Sequence, residues 1–160
     1  MSTADATLGA APSMNGFCPR ILLIRAPYYQ DIVDGMTAAA VDVLNGVGAT
    51  HQAVDVAGAF ELPQALRIAV RGVQNFDGFV VIGCVVRGET DHYDYICTAV
   101  MHGLMDLSLQ FGLCLGTALL TVNSVAQAEA RSAETGPNKG AEAAIACLKQ
   151  IAIARRLGAA

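Results

Sequence analysis

Residues 78–82 read Gly-Phe-Val-Val-Ile, a run without a polar side chain. A strand covered on one face alternates apolar and polar positions. A run apolar throughout must be covered on both faces, as a central strand of a parallel sheet is. That requirement restricts the chain to architectures in which strands and helices alternate, giving a mainly parallel sheet with helices on both sides. The other segments comply. Arg20-Ile21-Leu22-Leu23-Ile24 predicts a first strand. Ile32, Val33, Met36, Ala40, Val43, Leu44 and Val47 then recur at helical spacing, and Gly46 and Gly48 stop that helix. A second strand is expected over residues 51–56, and a second helix from Leu62, Ala65, Leu66, Ala69, Val70 and Val73. After the central strand, Ile96, Val100, Leu104, Leu107 and Phe111 mark a third helix, and residues 113–122 a fourth strand. Ser124 with Gln127 three residues on reads as a capping box opening a short helix. Pro137 suits the opening turn of a last helix, whose apolar face would carry Ala141, Ala144, Ile145, Leu148, Ile151 and Ala152.

The composition narrows the function. The 160 residues make one domain, expected over residues 19–158 behind a mobile tail at residues 1–18. A chain of this size buries roughly 70% of its unfolded surface and needs no disulfides. Apolar residues reach 54% and charged residues only 15%, which points either to a large core or to an extensive subunit interface. The net charge of −4 argues against nucleic acid as a partner. No apolar run reaches the ~18 residues that cross a membrane, and residues 1–18 lack the basic start and apolar stretch of a signal peptide. Cys18, Cys84, Cys97, Cys114 and Cys147 show no CxxC spacing and read as small hydrophobes of a reducing cytoplasm. His51, His92 and His102 show no metal-ligand spacing, so no metal site is expected.

In such sheets ligands bind beyond the carboxyl ends of the strands. The loop expected at residues 83–92 holds Gly83 and Gly88 for close backbone approach, and Thr90 or Asp91 would cap the following helix. A phosphate could then sit on the helix start at Gly88, Glu89 and Thr90. His92 would fall on the first turn, where an imidazole can serve as general base or acid near pH 7. In the loop before the second helix, Glu61 beside Phe60 can accept hydrogen bonds from sugar hydroxyls, or merely occupy a first helical turn. Arg131 and Lys139 could hold a phosphate or be solvated surface cations. Tyr28, after the first strand, could stack on a flat heterocycle or cover the core.

Four motifs occur in order: Gly-Ala-Phe-Glu-Leu-Pro at 58–63, Arg-Gly-Glu-Thr at 87–90 with His92 two residues on, Gln127-Ala128 with Arg131, and Asn-Lys-Gly-Ala-Glu-Ala-Ala at 138–144. Their order and spacing resemble the lumazine synthase family from about Arg20 to Arg156. The resemblance implies a flavodoxin-like three-layer α/β/α sandwich with a four-stranded parallel sheet. It implies a cytoplasmic riboflavin-pathway enzyme without cofactor or metal, assembled as a homopentamer or a larger icosahedral shell of pentamers. Its partners would be two small-molecule substrates, with no nucleic acid and no membrane.

In that family Tyr28 would stack on the pyrimidine, and Ala59, Phe60 and Glu61 would hold the aminouracil and its ribityl chain. The backbone at Cys84, Val85 and Val86 would read the ring edge. Glu89, Thr90 and Arg131 would bind the sugar phosphate with support from Lys139 and Glu142, and His92 would move protons. Three positions depart from the family pattern. Thr117, a further candidate contact to the aminouracil, stands where many members place a phenylalanine across the interface, while Ala57 and Asp91 each replace a frequent proline. Two alternatives stay open: an archaeal-type riboflavin synthase of similar fold, and a flavin-binding or shell-forming protein without turnover.

Overall fold

The computed structural model describes residues 9–159; residues 1–8 of the expected tail lie outside them. Four parallel strands, β1 (Arg20–Ala26), β2 (Thr50–Asp55), β3 (Gly78–Val86) and β4 (Leu115–Val122), form one sheet in the order β2-β1-β3-β4. Five helices connect and cover them: α1 (Gln30–Gly46), α2 (Leu62–Arg71), α3 (His92–Phe111), α4 (Val125–Ser132) and α5 (Lys139–Arg156). Short 3-10 turns at Pro27–Tyr29 and Ala59–Glu61 lead into α1 and α2. The fold is the flavodoxin-like three-layer α/β/α sandwich expected.

Side-chain alternation along the strands divides the interior in two. Ile21 and Leu23 of β1 with Val80, Ile82 and Cys84 of β3 face α1, α4 and α5. Leu22, Ile24 and Ala26 with Phe79 and Val81 face α2 and α3. β3 lies between β1 and β4 and buries its first seven residues, as its unbroken apolar run requires. β2 is an edge strand with all six residues exposed.

α1 ends as its glycines demand. Gly48 adopts φ +73°, and Ala49 and Gly48 donate to the carbonyls of Leu44 and Asn45 at 3.0 Å each. This pattern needs a left-handed residue, which glycine supplies at little cost. At α4 the Ser124 hydroxyl accepts from the Gln127 amide at 3.3 Å. The returning Gln127 carboxamide takes the Asn123 amide at 2.9 Å, one residue before the cap.

Several local expectations are corrected. Residues 83–86, expected as loop, continue β3 because β4 pairs with them as far as Val86. Pro137 lies ahead of α5: Asn138 is the cap, its Oδ1 accepting from the Gly140 amide at 2.8 Å. The buried stripe of α5 runs Gly140, Ala143, Ala144, Cys147, Leu148 and Ile151, with Ala141, Ile145 and Ala152 only half-buried. α5 packs on both α1 and β4, and small residues at 140, 143 and 144 allow both approaches. Within the expected tail, Met14 is buried and Phe17 packs on the main core beneath the guanidinium of Arg155.

Candidate active site

At the carboxyl ends of β1, β2 and β3 the connecting segments enclose a cleft of about 840 Å³. Its floor is the end of β3: Cys84, Val85 and Val86. One wall is the turn after β1, where Pro27 opens the 3-10 helix and projects Tyr28, 76% exposed, edge-to-face against Tyr29 at 5.2 Å. The second is the segment after β2, with Ala59, Phe60 and Glu61. Gly58 has no side chain to obstruct the Glu61 carboxylate; a Cβ there would stand 3.3 Å from Oε2. The third wall is the start of α3, where His92 is the first helical residue.

Eight residues named from the sequence thus line one cleft: Tyr28, Ala59, Phe60, Glu61, Cys84, Val85, Val86 and His92. The lining also includes Tyr95, Ile96 and Ala99, which the sequence reading did not assign to the site. The signal was available: positions 92, 95, 96 and 99 follow the i, i+3, i+4, i+7 spacing of one helix face. Tyr95 is 74% exposed, so three aromatic side chains, with Tyr28 and Phe60, stand open around the cleft.

The anion-binding candidates lie elsewhere. Glu89 and Thr90 are exposed on the loop at residues 87–91 and do not line the cleft. Asp91 occupies the cap position of α3, but neither it nor Thr90 caps: no side chain accepts from the helix start, and Asp91 itself has helical angles, φ −68° and ψ −3°. Arg131 folds back on α4, donating to the Gln127 carbonyl at 2.8 Å. Lys139 opens α5 paired with Glu142. Thr117 is exposed on β4 opposite Val81 and is likewise outside the cleft.

Arg87 is neutralised within its own chain. Its guanidinium grips both oxygens of Asp94 at 2.9 and 2.6 Å and lies 4.1 Å over the Tyr93 ring. The hydrogen bonds from Arg87 hold the Asp94 carboxyl below its ordinary range. Burial pushes the Cys84 thiol up to about 11, so the sulfur on the cleft floor is an uncharged lining atom rather than a nucleophile. Among the described residues no group of three or more His, Cys, Asp or Glu side chains is placed to hold a metal. Among the same residues no helix is long and apolar enough to cross a membrane.

Comparison with known proteins agrees with this geometry. The family model for 6,7-dimethyl-8-ribityllumazine synthase matches residues 19–155. The chain is 41% identical over 145 residues to the 6,7-dimethyl-8-ribityllumazine synthase of Paramagnetospirillum magneticum, covering 87% of this chain and 97% of that one. It is 41% identical over 143 residues to 6,7-dimethyl-8-ribityllumazine synthase 1 of Rhizobium meliloti, covering 87% and 94%. It is 41% identical over 145 residues to the 6,7-dimethyl-8-ribityllumazine synthase of Nitrobacter hamburgensis, covering 88% and 89%. A match to nearly the whole domain, on a four-stranded parallel sheet whose strand ends gather the expected aromatic, acidic and imidazole side chains, leads to one conclusion: the chain belongs to the 6,7-dimethyl-8-ribityllumazine synthase family.

Proposed function

We propose that the protein condenses 5-amino-6-(D-ribitylamino)uracil with 3,4-dihydroxy-2-butanone 4-phosphate, giving 6,7-dimethyl-8-ribityllumazine, phosphate and water, in the cytoplasm. The observation that carries this reading is the convergence of Tyr28, Phe60, Glu61 and His92 on one cleft in a member of this family. Tyr28 and Phe60 offer ring faces to a flat pyrimidine, and Glu61 offers acceptors to ribityl hydroxyls. The Cys84–Val86 backbone meets the ring edge. Glu89 and Thr90 receive the phosphate end of the sugar.

The amine of the uracil attacks the sugar ketone and forms an imine with loss of water. Phosphate leaves by elimination, the resulting enol rearranges to a ketone, and the second amine closes the ring with loss of a further water. The substrates bring their own nucleophile and leaving group. The protein therefore contributes positioning, which can supply about 7–11 kcal/mol of the barrier, and proton transfer at His92.

The working form in this reading is a homopentamer, or a shell of pentamers, with sites at subunit contacts. Arg131 and Lys139 stand outside the cleft of their own chain, so a neighbouring chain would bring these cations to the phosphate. The solvent-facing side of α3 exposes Tyr95, Met101, Met105 and Leu109, which an isolated chain would leave wet. The test is to mix purified protein with both substrates and follow the fluorescent lumazine together with released phosphate. Neither signal above the uncatalysed rate would sink the assignment.

A further inference from the structure

β2 has no buried side chain, so hydrophobic burial does not hold it, while the segment that follows packs half-buried Val56 and Ala59 on the core but leaves Phe60 exposed. Yet that segment, residues 56–61, supplies Phe60 and Glu61 to the cleft and must keep them in register with Tyr28 on the neighbouring turn. The last rung of the β1–β2 ladder provides the link. Arg25 and Asp55 are directly paired in the strand register. The guanidinium grips the carboxylate through two parallel bonds, Nε to Oδ1 at 2.7 Å and Nη2 to Oδ2 at 2.8 Å. The remaining nitrogen, Nη1, reaches Asp34 of α1 at 3.4 Å. One residue beyond, the Val56 amide donates to the Arg25 carbonyl at 2.8 Å.

We propose that Arg25 is a positioning residue for the heterocycle end of the cleft, fixing the turn that bears Tyr28 against the segment that bears Phe60 and Glu61. Both segments leave the sheet at this pair: the chain passes from Arg25 through Ala26 into Pro27–Tyr29, and from Asp55 through Val56 into the turn Ala59–Glu61. Neither Arg25, Asp55 nor Asp34 lines the cleft, so the arginine acts through the two segments and touches no substrate. A planar fork fixes the angle between its partners as well as their distance, which a lysine point charge cannot do. The arginine side chain is only 21% exposed, against 47% for Asp55 and 51% for Asp34, so its stem is packed while the acids reach in from the rim. The substrate assignment of this end of the cleft rests on the proposed reaction; the mechanical role does not.

The test uses Arg25→Gln, Arg25→Lys and the exchange Arg25→Asp with Asp55→Arg in the full chain. Amide hydrogen exchange of the substrate-free protein is read alongside KM for each substrate. Arg25→Gln is expected to speed exchange in residues 28–30 and 56–61 by about fivefold, leaving β4 unchanged. It should raise KM for the aminouracil about fivefold while KM for the sugar phosphate and kcat move less than about twofold. The exchanged pair should return both readouts toward wild type, and Arg25→Lys should fall between. If Arg25→Gln does not fold, Arg25→Lys carries the same comparison. Unchanged exchange in both segments, or a uniform rise across the sheet, overturns the proposal. Localised loosening in Arg25→Gln, where the wild-type protein makes no lumazine, upholds the positioning role and removes the proposed reaction. Turnover with no localised loosening does the reverse.

Discussion

Replacing Gly140 by alanine tests whether the Asn-Lys-Gly-Ala motif serves packing as well as chemistry. Gly140 is the second residue of α5, and α5 crosses α1 there. A Cβ at this position would overlap the Met36 carbonyl oxygen and stand 2.5 Å from its carbon and 2.8 Å from its Cα. Carbon atoms rest at about 3.5–4 Å, so the helices must part by roughly 1 Å. The obstacle is backbone, not a side chain that can swing away. Overpacking of this kind costs about 1–3 kcal/mol, and the rigid partner argues for the upper end. Against it stands the gain of alanine over glycine in a helix, at most about 1 kcal/mol. The net loss of about 2 kcal/mol lowers Tm by about 4–8 °C for a chain of this size. The assay is thermal unfolding by circular dichroism at one protein concentration, because the proposed assembly would make Tm concentration-dependent. Gly46→Ala is the control: it also lies in a helix, but its Cβ would meet nothing within 4 Å. That variant should match or slightly exceed wild type. A Gly140→Ala protein as stable as Gly46→Ala would refute the packing argument.

Three further outcomes follow from the site and the core. His92→Ala should slow turnover about 100-fold without abolishing it, since positioning survives the loss of one proton-transfer group; unchanged kcat in a folded variant would take His92 out of the mechanism. Arg131→Ala should raise KM for the sugar phosphate and leave aminouracil binding near wild type. Refolding it together with His92→Ala should recover part of the activity through contacts that pair two unmutated halves, whereas mixed rings without recovery would contradict a shared site. Burial raises the Cys84 thiol to about 11 and the Cys147 thiol to about 12, above the ordinary 9.0. The folded state thus keeps these protons to higher pH than the unfolded state, and the stability they contribute is present below pH 9.0 and declines from there towards about 12. Urea midpoints should fall over that window, less steeply in Cys84→Ala with Cys147→Ala; equal slopes would exclude the thiols as the cause.

Most of the site was legible because its parts are local. Tyr28 follows a strand, the Gly58–Glu61 stretch precedes a helix, and His92 begins one; strand ends that enter helices are where such sheets bind ligands. Tyr95, Ile96 and Ala99 escaped because an apolar stripe on α3 serves core and cleft alike, and periodicity does not say which neighbour it faces. Glu89, Thr90, Arg131, Lys139 and Thr117 were named as a group with the cleft residues but stand away from it within one chain. Residue types and spacing carry no information on how far such positions lie from the cleft.

The sequence by itself determined the order of strands and helices, the two-sided burial of β3 and the glycine stop after α1. Each depends on side-chain periodicity or on one backbone angle, which neighbouring residues fix. Only the tertiary structure decided that β2 lies at the edge, that β3 runs on to Val86, and which stripe of α5 is buried. It also decided the role of Asn138. That carboxamide, buried 103 residues beyond Gly35, donates to the carbonyls of Gly35, Ser132 and Ala133 at 3.3, 2.8 and 3.1 Å, tying α1, α4 and α5 together. Arg25 and Asp55, 30 residues apart, are also brought together only by the fold, but at its rim, where burial does not enforce the pairing as it does for Asn138. A polar side chain far from its partner in sequence reads as a surface residue until the chain closes around it. Desolvation then makes its hydrogen bonds obligatory, and that pressure exists only in the folded molecule.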